Sequence, residues 1–285
     1  MNAESTSVLR DLVMTNEDFS RVCKMIYDRA GIVLDGKKQE MVYGRISKRL
    51  RLHGMTAFTP YLDKLAAQPN AREWESFVNA LTTNLTAFFR EAHHFPLLAK
   101  HIAGRTTPVK IWCAAASTGE EPYSIAMTLM ETLGPSLAAQ CKIIATDIDT
   151  EALGKASAGI YPIKQVTDIG EERAKRFFLK GSMDNSGFAR VKPELISMVE
   201  FRHMNLNSPG WDIKGKFDAI FCRNIMIYFD RVSQARILKG FSPLLEDDGL
   251  LITGHSENFT YLESDFKLRG QTIYTLNKKS SAKIG

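Results

Sequence analysis

The sequence predicts an α/β protein whose mostly parallel sheet is preceded by a small all-helical domain. Three observations point there. Up to about Arg90 the apolar residues fall at helical spacing. After Pro108 the order becomes strand, small-residue turn, helix, strand, which is the rhythm of parallel α/β units. An aspartate, Asp147, closes the second of these strands, where open α/β sheets bind ligands.

In the first segment, Thr15 or Asn16 can cap a helix whose Phe19, Val22, Cys23, Ile26 and Tyr27 form one stripe, stopped at Ala30-Gly31. A second helix runs from Lys38 to about His53-Gly54, with Tyr43, Ile46 and Leu50 on one face and Arg45, Lys48 and Arg49 on another. Between Lys37 and Arg51 the bases Lys37, Lys38, Arg45, Lys48, Arg49 and Arg51 face one acid, Glu40, so this helix attracts an acidic partner. Thr59-Pro60 opens a third helix, and Arg72 to Leu81 supplies a fourth.

Val109 to Cys113 reads as a buried strand, Glu121 to Leu133 as a helix, Lys142 to Ala145 as a strand and Thr150 to Ser157 as a helix. Residues 160–200 interrupt the alternation: a short helix, Glu171 to Phe178, precedes a polar turn and strand-like Phe188 to Val191 and Met198 to Phe201, read together as an antiparallel excursion. The pattern resumes with strand Phe217 to Cys222, helix Ser233 to Leu245, strand Gly249 to Gly254 and a last strand Thr272 to Leu276, before a basic tail expected to fray.

Composition narrows the classes. A chain of 285 residues, 44% hydrophobic and 24% charged, can bury a core and is unlike a disordered chain. The N-terminus lacks the basic start and apolar run of a secretory signal. The apolar runs near Ile220 and Leu250 fall short of the roughly 20 residues that cross a bilayer. A cytosolic location, without membrane insertion, is the expectation. Cys23, Cys113, Cys141 and Cys222 have no CxxC spacing and read as core residues. No histidine array is present, and the adjacent His93 and His94 are expected to diverge from a helix, so no metal is expected. A monomer is the default.

The turn Ala114 to Gly119 brings backbone amides at a helix start within reach of a ligand, although one glycine fails the dinucleotide fingerprint and an ordinary βα connection remains open. Glu120-Glu121 in the first helical turn would repel a pyrophosphate and attract an ammonium, which favours a methionine-derived nucleotide over NAD. Asp147 can accept ribose hydroxyls, while Asp149 reads as a helix cap. Arg223, Asn224 and Tyr228 lie just beyond a central strand, where they either line a crevice or form a capped loop with an aromatic plug.

NALTTNLTAFFRE (Asn79 to Glu91), AAASTGEEPYS (Ala114 to Ser124), ATDID (Ala145 to Asp149), FCRNIMIYF (Phe221 to Phe229) and GHSE (Gly254 to Glu257) together resemble the chemotaxis receptor methyltransferases, the CheR family. The resemblance spans nearly the whole chain, to Leu276. It implies a helical domain over residues 1–90 and a Rossmann-like S-adenosylmethionine-binding methyltransferase domain over 91–285, with an antiparallel subdomain inserted at about 159–199. It implies methyl transfer to glutamates on the cytoplasmic helices of chemoreceptors, giving glutamate methyl esters and S-adenosylhomocysteine in chemotaxis adaptation. Carried over by motif, Asn84, Thr86 and Arg90 approach the cofactor, Glu121 holds the methionyl ammonium and Asp147 the ribose. Asn205, Leu206, Arg223 and Asn224 line the adenosine side. Arg90 and Tyr228 flank the reacting centre, and Lys38, Arg45, Lys48, Arg49 and Arg51 form the receptor-docking face. In some members the subdomain grips a peptide at the receptor's C-terminus. The competing readings are a small-molecule or nucleic-acid methyltransferase, whose RNA version lacks an obvious aromatic stacking platform among the bases, and a non-catalytic cofactor sensor.

Overall fold

A computed structural model describes residues 12–262 and 264–277. The expected basic tail lies outside them, apart from its first residue. The chain divides into two compact units after Thr82, earlier than Arg90, because the polar run that follows Leu81 is not helical.

The first unit holds four helices: α1 (Asn16–Ala30), α2 (Gln39–Leu52), α3 (Phe58–Ala67) and α4 (Glu73–Leu81). Thr15 starts α1 with a reciprocal cap, its hydroxyl accepting from the Asp18 amide while the Asp18 carboxylate accepts from the Thr15 amide. Gly31, at φ 73°, ends it in the left-handed conformation that glycine adopts without strain. Of the stripes read from the sequence, Val22, Ile26, Ile46, Leu50 and Leu62 are buried, with Val42, Phe58 and Phe77, all essentially inaccessible to solvent, whereas Tyr27 is exposed and Phe19, Cys23 and Tyr43 are partly buried.

The second unit begins with α5 (His94–Ile102), a helix that the sequence reading did not separate. Then come β1 (Lys110–Cys113), α6 (Glu120–Leu133), α7 (Pro135–Ala138), β2 (Lys142–Asp147) and α8 (Thr150–Ala158). The excursion holds β3 (Ile160–Pro162), α9 (Ile163–Thr167), α10 (Glu171–Phe177), β4 (Phe178–Lys180), β5 (Phe188–Val191) and α11 (Pro193–Ile196). After it run β6 (Val199–His203), β7 (Phe217–Cys222), α12 (Arg231–Phe241), β8 (Leu245–Thr253), β9 (Phe266–Gly270) and β10 (Ile273–Leu276).

The main sheet has the order β6-β2-β1-β7-β8-β10-β9. Its first five strands are parallel and the final β9–β10 hairpin is antiparallel. Alternating residues feed two cores: Ile111 and Cys113 join Tyr123 and Ile125 on one face, and Trp112 joins Phe217 and Phe241 on the other. All residues of β7 are buried, as a central parallel strand requires. A separate antiparallel sheet of order β3-β5-β4 forms the insertion. One expectation is corrected here: Met198 to Phe201 is not part of the excursion. Its strand, β6, pairs in parallel with β2, Ile143 opposite Val199, and forms the edge of the main sheet. The short β3, centred on Tyr161, takes the place expected for it.

The path runs from β1 outward through β2 to β6, then returns to β7 on the other side of β1. That reversal between β1 and β7 opens a crevice at the carboxyl ends of the strands.

Candidate active site

Beyond β1, the Ala114 amide donates to the Phe221 carbonyl (2.7 Å) and the Ala116 amide to the Thr146 carbonyl (2.9 Å), which pins the turn to both neighbouring strands. Ser117 lies at φ 47°, outside the usual range for a side-chain-bearing residue. Its amide donates to one Asp147 oxygen at 2.7 Å, and the Asp149 amide donates to the other at 2.9 Å. Each oxygen keeps a lone pair for a hydroxyl donor. Burial pushes the Asp147 carboxyl above its ordinary value. Asp149 caps α8 through the Ala152 amide (2.9 Å) and accepts from the Asn84 amide group at 2.6 Å. Asn84 in turn accepts from the Ser117 hydroxyl at 3.0 Å. Gly119, at φ 98°, admits no side chain, because a Cβ would lie 2.6 Å from the Tyr161 hydroxyl.

Across the β1–β7 crevice, the buried Arg223 donates to Glu121 at 2.5 Å, lies 3.4 Å from Glu91 and donates to the Arg90 carbonyl. The other Glu121 oxygen accepts from the Cys113 thiol at 3.1 Å. Burial, with Glu121 alongside, raises that thiol well above its usual value. Glu91 also accepts from the Asn224 side chain (3.1 Å) and from the backbone (3.1 Å) and ring (2.9 Å) of His255. Burial pushes the Glu91 carboxyl up, but the His255 and Asn224 hydrogen bonds and the Arg223 charge outweigh it, leaving it at about 2.

The loop that carries Asn224 and Tyr228 is organised by Glu257, which is 2% exposed and accepts from the amides of Gly254 (2.7 Å), Asn224 (2.9 Å) and Met226 (2.8 Å). Asn224 sits at φ 57°. Tyr228 ends the short 3-10 turn Met226–Tyr228 and is half-buried. Arg90 is also half-buried and donates to the Leu85 carbonyl at 2.7 Å. Its neighbours Phe89 and Glu91 both have left-handed backbones, φ 52° and 53°. Such strain persists only where surrounding contacts enforce it. Here they are the Phe89 amide bond to the Ser124 hydroxyl (2.9 Å) and the Glu91 network. Thr86 is half-buried on the same segment. Leu206 is buried, and Asn205 accepts from the Asn207 amide at 2.8 Å, in the stretch that follows β6. The Met204 amide donates to the Asp147 carbonyl (2.8 Å), which holds that stretch beside the end of β2.

The crevice thus brings together Asn84, Glu121, Asp147, Arg223 and Asn224, with the Arg90 backbone. Sequence reasoning quoted Glu91 and Glu257 within motifs but gave them no role. Their signal was a carboxylate beside Arg90 and one ending GHSE. His93 and His94 do not diverge: their ring centroids lie 4.1 Å apart. His93 stands at the N-cap of α5, ahead of any helical turn that would restrict its ring.

On α2, Lys38, at its N-cap, and Lys48 and Arg51 are exposed. Arg45 donates instead to the Ala80 and Thr82 carbonyls, and Arg49 makes a two-pronged pair with Glu73 (2.9 and 2.5 Å). Glu73 also accepts from Tyr61 (2.7 Å) and lies 2.8 Å from the His53 ring.

A crevice at the carboxyl ends of a parallel sheet that combines a ribose-type carboxylate with buried opposite charges fits an S-adenosylmethionine-dependent methyltransferase. Residues 84–275 match the profile described as CheR methyltransferase, SAM binding domain, and residues 17–82 match CheR methyltransferase, all-alpha domain. The chain belongs to the CheR methyltransferase family. Relatives named chemotaxis protein methyltransferase are 51% identical in Salmonella typhimurium, covering 96% of both chains, and 51% identical in Escherichia coli, covering 94% and 93%. Chemotaxis protein methyltransferase 2 of Pseudomonas aeruginosa is 50% identical over 92% and 93%. The cofactor is S-adenosylmethionine, and the donor set fits it: Asp147 retains acceptor capacity for vicinal hydroxyls, and Glu121 supplies a carboxylate in the first turn of α6.

Proposed function

We propose that the chain methylates side-chain carboxylates of specific glutamates on the acidic cytoplasmic helices of chemoreceptors, releasing S-adenosylhomocysteine. The observation that carries this reading is the agreement of both family profiles with a crevice at the β1–β7 reversal. When bound, the cofactor supplies an electrophilic sulfonium methyl group. Asp147 accepts from the ribose, Glu121 shares its charge between Arg223 and the amino-acid ammonium, and Asn84, Thr86, Asn205, Leu206 and Asn224 complete the pocket. Arg90 orients the acceptor carboxylate or the cofactor, and the Tyr228 hydroxyl hydrogen-bonds the acceptor. A glutamate, with a reference pKa of about 4.3, is already ionised at neutral pH, so no general base is needed. Positioning and exclusion of water are what the residues contribute.

The exposed bases Lys38, Lys48 and Arg51 steer the acidic receptor surface. Arg45 and Arg49 belong to the same face, and their internal bonds also fix its shape. Tethering of the receptor's C-terminal peptide at the small sheet is supported by that sheet's outer face. Ile160, Arg190 and Leu179 stand opposite one another across β3, β5 and β4, with Phe188 beside them, and all are exposed. β3 and β4 are the two edge strands of that sheet, and an edge strand is the kind of feature that receives an added peptide strand. The protein acts in the cytoplasm at membrane-bound receptor arrays; among the described residues no helix is long and apolar enough to cross a membrane.

The test is transfer of isotopically labelled methyl to receptor fragments with and without their C-terminal peptide. The expected result is label on glutamate that alkali releases as methanol, transferred more efficiently to the fragment with the peptide. Alkali-stable label, or label on RNA alone, would refute the acceptor. Equal transfer to both fragments would refute the tether.

A further inference from the structure

The Glu91 web contains a feature that methyl transfer does not use. His94 is completely buried, and its Nε2 lies 3.1 Å from the Gln271 carbonyl, which can only accept. Nε2 also lies 3.3 Å from the Thr272 hydroxyl, and the tautomer that satisfies the Gln271 carbonyl places the ring hydrogen on Nε2. The other ring nitrogen, Nδ1, is buried with no hydrogen-bond partner, and it faces the Glu91 Oε2 at 3.6 Å. In that tautomer the Nδ1 lone pair faces a carboxylate oxygen. The exposed His93 ring lies tilted against that of His94, centroids 4.1 Å apart, and one donor atom from each of Glu91, His93 and His94 lies within 4.8 Å of the others.

We propose that Glu91, His93 and His94 form a binding site for a first-row divalent cation, zinc foremost. Two ligands at about 2.0–2.1 Å in tetrahedral geometry stand about 3.3 Å apart, so the 3.6 Å gap already accommodates an ion. The Nε2 contact to a backbone carbonyl is the outer-shell bond that fixes the tautomer of a metal-ligating histidine. His93, at the surface, has a donor atom within 4.8 Å of the other two and moves in to complete the set, and water takes the fourth position. The nearby cation sets the consequence. Arg223 lies 3.4 Å from the same Glu91 oxygen, so an ion there displaces it, while Glu121 still holds it at 2.5 Å. On the reading of Arg223 as a pocket residue, metal and S-adenosylmethionine then bind antagonistically, each weakening the other by the same factor.

The test uses the full chain without a histidine tag. Zinc is titrated in competition with a chromophoric chelator, and cobalt is added separately for its visible spectrum. One zinc per chain is expected, with the intense cobalt bands of four-coordinate nitrogen and oxygen ligation. His93→Ala is expected to weaken zinc by at least about tenfold, or about 1.4 kcal/mol, with unfolding temperature and metal-free S-adenosylhomocysteine affinity unchanged. Absence of stoichiometric binding, or binding undiminished in His93→Ala, overturns the site. Because cofactor affinity is measured first without metal, failure of the cofactor reading is seen separately. Cofactor affinity unaffected by saturating zinc overturns the antagonism.

Discussion

Arg90 sits between two residues held in the left-handed region, so its position is enforced from both sides rather than chosen by its own rotamer. Arg90→Ala is expected to lower turnover or cofactor affinity by at least about tenfold, and Tyr228→Phe to lower chiefly turnover. Steady-state kinetics with a receptor substrate check both; wild-type values would remove these roles. Gly254 makes a sharper case. A Cβ there would lie 2.4 Å from the Asn224 side chain and 2.9 Å from its amide. Gly254→Ala should cost about 1–3 kcal/mol of overpacking and displace Asn224, seen as a raised Kd for S-adenosylhomocysteine in a protein that still folds. The places of Asp147, at the end of β2, and Glu121, in the first turn of α6, were legible in the sequence because both lie at fixed offsets from one strand and one turn. Glu91 was not, since its partners Asn224 and His255 are brought to it only by the fold. No local spacing reports such a contact.

Among the elements, α2 shows how a charge count can mislead about charge in use. Six bases suggested one uniformly positive face, yet Arg45 and Arg49 hold α4 in place. Neutralising Lys38, Lys48 and Arg51 together should therefore raise the receptor KM and flatten its dependence on salt, with stability little changed. At ordinary ionic strength the screening length is about 8–10 Å, so such steering is salt-sensitive; a KM indifferent to these changes would count against the surface. Arg49's partner gives a prediction about stability. Burial raises the Glu73 carboxyl, but hydrogen bonds from Arg49, Tyr61 and His53 bring it down to about 2 from 4.5. A folded pKa below the unfolded one stabilises above pH 4.5 and is lost as pH falls towards 2, an effect of roughly 3 kcal/mol. Glu73→Gln should be less stable at neutral pH and show a flatter stability profile over that acid window by denaturant unfolding. The strands were legible where burial is continuous, as in β7. The edge strand β6 was misassigned because only its pairing with the distant β2 separates it from the neighbouring insertion.

For the whole molecule, a mostly parallel sheet was legible in the strand–helix alternation, while the order of its strands was not read. The point where that order reverses was not legible either, because the insertion separates β2 from β6 along the chain and hides the return to β7. That reversal creates the crevice in which residues from β1, β2 and β7 converge. The account therefore stands on this edge of the sheet as the place where the cofactor is held. Calorimetric titration of S-adenosylhomocysteine into the wild type and into Asp147→Ala tests it most directly. One site per chain is predicted, weakened by at least about tenfold in the variant while the unfolding transition remains cooperative. Equal affinity in the two proteins, or no heat of binding in the folded wild type, would contradict it.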